Sequence, residues 1–199
     1  MRTQEIRALA PGFLLSMPQL ADPNFSRSVV LVLEHDDEGS FGLIVNHESE
    51  LSVAELVSAL GSEWRGDDDE KVWAGGPVMP GSGWVLHSGS QFLGTSSTTL
   101  GDALDETGTL MVRDDLFLST SVGNVKTLAE HPAERMRFLL GYSGWSGGQL
   151  ADEMVRGSWL HCEIDMEILF DSPCDEMWER CLRRMGLSPE CIVQSTGVH

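Results

Sequence analysis

The first readable pattern is Ser28-Val29-Val30-Leu31-Val32-Leu33, a nearly continuous run of β-branched and aliphatic residues. A short run without polar alternation predicts a strand buried on both faces. His35-Asp36-Asp37-Glu38-Gly39-Ser40 follows as a turn cluster, and Phe41-Gly42-Leu43-Ile44-Val45-Asn46 predicts the returning strand of a hairpin. Gly42 inside that strand marks close packing or a bulge. The period then changes. Ser52-Val53-Ala54-Glu55 has the form of a capping box, Val53, Leu56, Val57 and Leu60 recur at helical spacing, and Gly61 stands where the helix should stop. After the acidic loop at Gly66–Glu70, strands are predicted at Lys71–Ala74, Trp84–His87, Leu116–Thr120 and Ser158–Cys162. Residues 89–108, rich in Gly, Ser and Thr, read as loop or irregular strand. Helices are predicted at 123–131 and 149–156, the second with Leu150 and Met154 on one face. Met136–Tyr142 is too short an apolar run to choose between strand and helix. Gly144-Trp145-Ser146-Gly147-Gly148 reads as a break.

The clearest helix is the last. Ser172 is the expected N-cap, with Pro173 in the first turn and Asp175 and Glu176 at the positive end of the dipole. Cys174, Met177, Trp178, Cys181, Leu182 and Met185 form one apolar stripe, and Gly186 ends the pattern. Strands outnumber helices and do not alternate with them regularly. That favours an α+β fold with a mixed sheet over a doubly wound parallel one.

Composition adds limits. The 199 residues suit one domain spanning 1–199, and 41% apolar residues are enough for a packed core. Acids outnumber bases 31 to 13, a formal charge of −18. Direct nucleic-acid binding is opposed by that charge, since gripping phosphates needs a basic face. The acidic surface reads as solubilising. No membrane span or apolar leader is visible, so a cytoplasmic protein is expected. Cys162, Cys174, Cys181 and Cys191 show neither Cys-x-x-Cys nor zinc spacing, and they are expected as free thiols. Cys174 and Cys181 lie on one helix about 10.5 Å apart in rise, beyond the reach of a disulfide. Both are expected to face the core.

Each chemical motif has a plainer reading. Gly141-Tyr142-Ser143-Gly144-Trp145 resembles a nucleophile elbow but carries Trp145 where that turn needs glycine. Gly144, Gly147 and Gly148 precede a helix as an anion-binding loop would, yet Asp152 and Glu153 place negative charge in its early turns. Glu34-His35-Asp36-Asp37-Glu38 holds metal-ligand types, but adjacent strand residues point to opposite faces and a hairpin tip is commonly acidic. Trp73, Trp84, Trp145 and Trp159 are read as core packing, with a ligand or partner rim as the alternative. No catalytic residue, metal ligand or cofactor site is assigned.

Several segments together resemble one family. Pro11-Gly12-Phe13-Leu14-Leu15-Ser16-Met17-Pro18, Asp22-Pro23-Asn24-Phe25, Glu34-His35, Gly75-Gly76-Pro77-Val78, Leu86-His87, Gly148-Gln149-Leu150, Glu153 and Ser158-Trp159-Leu160 occur in the order found in YqgE/AlgH proteins. The resemblance implies a single α+β domain with a large, strongly bent mixed sheet and a few flanking helices, in the bacterial cytosol. Some members carry a transcriptional-regulator label tied to alginate production. No catalytic residue comes with the resemblance. His47-Glu48 and Ser143 depart from the common pattern, where relatives often have a basic residue then Pro, and Ala.

The leading expectation is a binding or interaction module, with an unknown protein or small molecule as partner and a regulatory role. The alternatives are a hydrolase or transferase with a cleft near Gly76, His87 and Trp145, and a transcriptional regulator. Asn46, Gly75, Gly76, His87, Tyr142 and Trp145 are the candidate ligand-binding residues. They combine loop glycines at strand ends with groups suited to recognition. One concave surface shared by these segments is the expectation to test, against the plainer reading that each glycine serves its own turn.

Overall fold

The aliphatic run at 28–33 does form the centre of a hairpin, within a computed structural model that describes residues 9–89 and 96–194. In chain order the strands are β1 (Gly12–Ser16), β2 (Val29–His35), β3 (Gly39–Ile44), β4 (Glu48–Ser52), β5 (Lys71–Ala74), β6 (Val78–His87), β7 (Thr109–Arg113), β8 (Leu116–Ser119), β9 (Met136–Ser146) and β10 (Trp159–Cys162). The helices are α1 (Val53–Ala59), α2 (Val122–Glu130), α3 (Gln149–Val155), α4 (Met166–Asp171), α5 (Cys174–Arg184) and α6 (Pro189–Gln194). The chain divides into two units. The first is Met1–His47, Gly75–Val78 and Tyr142–His199; the second is Glu48–Ala74 and Met79–Gly141.

In the first unit β10, β1, β2, β3 and the end of β9 pair in that order, antiparallel throughout. The β2–β3 register shifts between Val32 and Glu34. At Gly42 an added Cβ would stand 2.9 Å from the Leu31 carbonyl oxygen and from Val30 Cγ1. Bulge and close approach are thus both present, as Gly42 predicts. Leu14, Val30, Val32, Ile44, Trp145, Leu150 and Trp159 form one buried cluster. Helix α5 buries Met177, Trp178, Cys181 and Leu182.

In the second unit β4 pairs with β5, and β5 runs parallel to the start of β9, with Trp73 opposite Leu139. Strands β6, β8 and β7 pair antiparallel. Their core contains Val53, Val57, Val72, Val85, Leu128 and Phe138. The capping box on α1 is formed in both directions. Antiparallel pairings with one parallel pair make the sheet mixed, and the fold class is the expected α+β.

One open reading is decided and four local expectations need correction. Met136–Tyr142 is strand, and β9 continues to Ser146, because Gly144 and Trp145 stay paired with Phe41 and Ser40. The break is confined to Gly147-Gly148. Within 89–108, residues 90–95 lie outside the described residues. Leu100–Asp102 is a helical turn capped by Thr99 that runs on as a π turn at Ala103–Thr107, closed by Gly108 at φ 66°. The cap of α5 is Pro173, not Ser172, because α4 ends at Asp171 and leaves Ser172 as linker. The stripe on α5 frays at its ends: Cys174 is half-buried and Met185 is 37% exposed.

Candidate functional site

Where β1 ends, Ser16 and Ser28 lock together. The Ser16 amide donates to the Ser28 carbonyl at 3.0 Å, and the Ser28 amide donates to Ser16 Oγ at 2.8 Å. Between them the chain loops out through Met17-Pro18-Gln19-Leu20. It then makes a 3₁₀ turn at Pro23–Phe25, capped by Asp22. Against this loop α5 sets Trp178, whose indole N–H donates to the Ser16 carbonyl at 2.9 Å. The loop, Arg27 and Trp178 enclose a cleft of about 260 Å³ with Met17, Pro18 and Leu20 along its walls.

Arg27 is held in an unusual state. Its φ is 51°, the left-handed region that a side chain other than glycine rarely occupies. Asn46 fixes it there: Oδ1 accepts from the Val29 amide at 2.7 Å, and Nδ2 donates to the Arg27 carbonyl at 3.0 Å. The Arg27 guanidinium then lies 4.9 Å from the Trp178 ring and pairs with Glu179. Strain of this kind persists only where the surroundings over-determine it, and it is concentrated at working surfaces.

The predicted residues are distributed as follows. Asn46 supports the cleft from behind, 8% exposed. Gly75 is buried, and its carbonyl accepts from the Ile44 amide at 2.7 Å and from Ser143 Oγ at 3.4 Å. Gly76 has φ 152°, and a Cβ there would stand 2.2 Å from the Tyr142 carbonyl carbon. Gly75, Gly76 and Tyr142 therefore do meet, through backbone packing. The Tyr142 ring lies 4.9 Å from that of Phe41. Trp145 is in the core, 6% exposed, and its Nε1 donates to Glu153 at 3.1 Å. His87 belongs to the second unit. It is wholly buried, hydrogen-bonded through Nε2 to Ser119 Oγ at 3.0 Å, and burial lowers its pKa.

The other motifs are used internally. Asp36 accepts from the amides of Glu38 and Gly39 and so closes the hairpin turn. Ser143 is wholly buried. At Gly147 a Cβ would stand 2.5 Å from the Asp37 carbonyl oxygen, so tight packing alone accounts for glycine there. Trp73, Trp84, Trp145 and Trp159 are all buried, as the core reading expects. The sequence does not single out Met17, Leu20 or Arg27 as site residues, and it presents Trp178 as core. Their one signal was that Met17 and Pro18 sit in the family-like N-terminal segment; nothing marked Arg27.

Comparison with known proteins matches residues 13–190 to the AlgH-like family model. The chain belongs to this family. A UPF0301 protein of Myxococcus xanthus is 39% identical over 98% of this chain and all of its own length. One from Magnetococcus marinus is 34% identical over 94% of this chain and 95% of its own. The solution structure of the AlgH protein from Pseudomonas aeruginosa has a TM-score of 0.72 at 32% identity, covering 93% of each chain. The crystal structure of a Corynebacterium diphtheriae protein, at 21% identity and a TM-score of 0.65 over 88% of this chain and 86% of its own, shares the fold. These AlgH-like names state a family and no activity. No helix among the described residues is long and apolar enough to cross a membrane.

Proposed function

We propose that this AlgH-like chain is a cytoplasmic binding module with a regulatory role, and that its cleft at Arg27 and Trp178 receives an apolar side chain of a partner polypeptide. The carrying observation is that polar groups of Ser16, Trp178 and Arg27 at the cleft are already engaged within the chain, beside an apolar wall. Ser16 Oγ holds the Ser28 amide, Trp178 Nε1 holds the Ser16 carbonyl, and Arg27 is paired with Glu179. Beside them Met17, Pro18 and Leu20 offer a partner an apolar surface. At about 260 Å³ the cleft is smaller than the roughly 300–1,000 Å³ usual for small-molecule sites. It suits one large side chain, in the manner of an interface hot spot.

The hydrolase or transferase reading has less support, since His87 is wholly buried and committed to Ser119. Direct gripping of duplex DNA is opposed by the −18 charge. Peptides selected from a random library against the whole protein test the docking reading. Selected peptides should carry an aromatic or large aliphatic anchor. Met17→Glu and Pro18→Glu should each weaken binding by about tenfold or more with the melting temperature unchanged. Val155→Glu, at a side chain 88% exposed, serves as the control. Equal binding by all three variants would defeat the proposal.

A further inference from the structure

A second cavity in the first unit, about 230 Å³, is lined by Cys162, Glu163, Ile168, Cys181, Arg184 and Met185. Cys162 ends β10, the outer strand of that unit's order, and is half-buried; Cys181 lies midway along α5 and is buried. The fold thus brings two thiols from distant elements to one space that opens on solvent.

The two thiols are not equivalent. A hydrogen bond from the Cys181 thiol lowers the pKa of Cys162, against burial and the nearby carboxylates of Asp165 and Glu163. The same hydrogen bond, with burial, pushes Cys181 up. Arg184 leans over the cavity, tied to Asp165 at 2.8 Å. Cys162 is half-buried and Cys181 buried, so Cys162 is the thiol that a molecule in the cavity reaches first.

We propose that Cys162 and Cys181 form a reversible dithiol–disulfide site for small hydroperoxides, with Cys162 attacking first and Cys181 resolving. In the first step the Cys162 thiolate attacks the terminal oxygen of a hydroperoxide. The S–O bond forms and the O–O bond breaks. The leaving oxygen takes a proton from solvent, giving an alcohol, or water from hydrogen peroxide, and Cys162 becomes a sulfenic acid. In the second step Cys181 sulfur attacks Cys162 sulfur. The S–S bond forms, the S–O bond breaks, and the hydroxyl leaves as water with the Cys181 proton. The sulfurs together lose two electrons, which the peroxide gains. A small-molecule dithiol reverses the change by exchange. The cavity holds several waters' volume, taking about 30 Å³ each, which admits hydrogen peroxide or a short alkyl hydroperoxide. The product would tie β10 to α5 covalently and make this unit responsive to oxidant.

The full chain carrying Cys174→Ser and Cys191→Ser tests this, because only the proposed pair remains. Stoichiometric hydrogen peroxide should remove two hydrogens from the intact mass, yield one peptide linking Cys162 to Cys181, and be undone by dithiothreitol. Adding Cys181→Ala should leave a Cys162 sulfenic acid that a cyclic 1,3-diketone traps. Adding Cys162→Ala instead should leave Cys181 unmodified at the same dose. Gain of oxygen without the linking peptide in the two-cysteine protein would overturn the proposal, as would both thiols staying reduced. Oxidation of Cys181 in the absence of Cys162 would overturn the assigned order of attack.

Discussion

At Arg27 a single residue carries strain that its neighbours hold in place. The left-handed backbone costs a side chain other than glycine roughly 1–2 kcal/mol, and the two Asn46 hydrogen bonds oppose relaxation. This gives a comparison with a definite sign. Arg27→Ala loses the Trp178 and Glu179 contacts and keeps the strain; Arg27→Gly loses the same contacts and relieves it. Urea unfolding should therefore rank Arg27→Gly more stable than Arg27→Ala by about 1 kcal/mol. Equal midpoints would mean the backbone is not held as described. Gly76 is the opposite case. Its φ and the adjacent Tyr142 and Ser143 backbone leave no room for a Cβ. The sequence marked Gly76 as special, and the surrounding backbone supplies a packing reason for that.

Helix α3 is fastened by one carboxylate. Glu153 Oε2 accepts from Trp145 Nε1 at 3.1 Å on β9 and from Trp159 Nε1 at 2.7 Å on β10, while Oε1 accepts from Gln149 at 2.9 Å. Both indoles are buried, so deleting the acceptor leaves two N–H groups without it. Glu153→Ala should cost about 2–4 kcal/mol in chemical denaturation. Glu153→Gln, which keeps an acceptor oxygen, should cost clearly less. If the two variants were equally stable, the helix would be held by Leu150 packing alone. The sequence made this helix readable through Leu150 and Met154, and it placed Glu153 only as negative charge in an early turn. Its pairing with two tryptophans needs three elements to meet, which no local period encodes.

For the whole chain, one buried and three half-buried histidines shape the acid limb of stability. Burial lowers the pKa of His35, His47, His87 and His161 below the ordinary 6.5. Below about pH 6.5 the unfolded chain takes up protons on these rings that the folded chain does not. The unfolded state then binds more protons, so stability rises with pH across this window and is lost as pH falls through it. Glu70, raised by burial and then by Asp67, acts in the opposite direction and makes the fall shallower. The melting temperature should drop between about pH 8 and about pH 5.5. His87→Gln should flatten part of that drop. A profile that is flat, or that rises towards acid, would contradict the assignment.

The elements whose signals are local are legible in the sequence. The β2–β3 hairpin, the α1 capping box, β5, β8 and the apolar stripe of α5 follow from period, caps and turn residues, because those forces act within a few neighbouring residues. The acidic composition and the family pattern were equally visible. Tertiary structure alone decided the rest. Strand β9 had no period of its own and became strand because Trp73 and Ala74 pair with its start, and Ser40 and Phe41 with its end. Strands β4 and β7 carried no clear alternation. Ser16, Met17, Arg27 and Trp178 form a cleft because β1 ends where α5 passes, and Cys162 meets Cys181 because β10 and α5 share a cavity. Sites of this kind are made by side chains far apart in sequence, and the packing energy that joins them depends on the whole fold rather than on any segment of it.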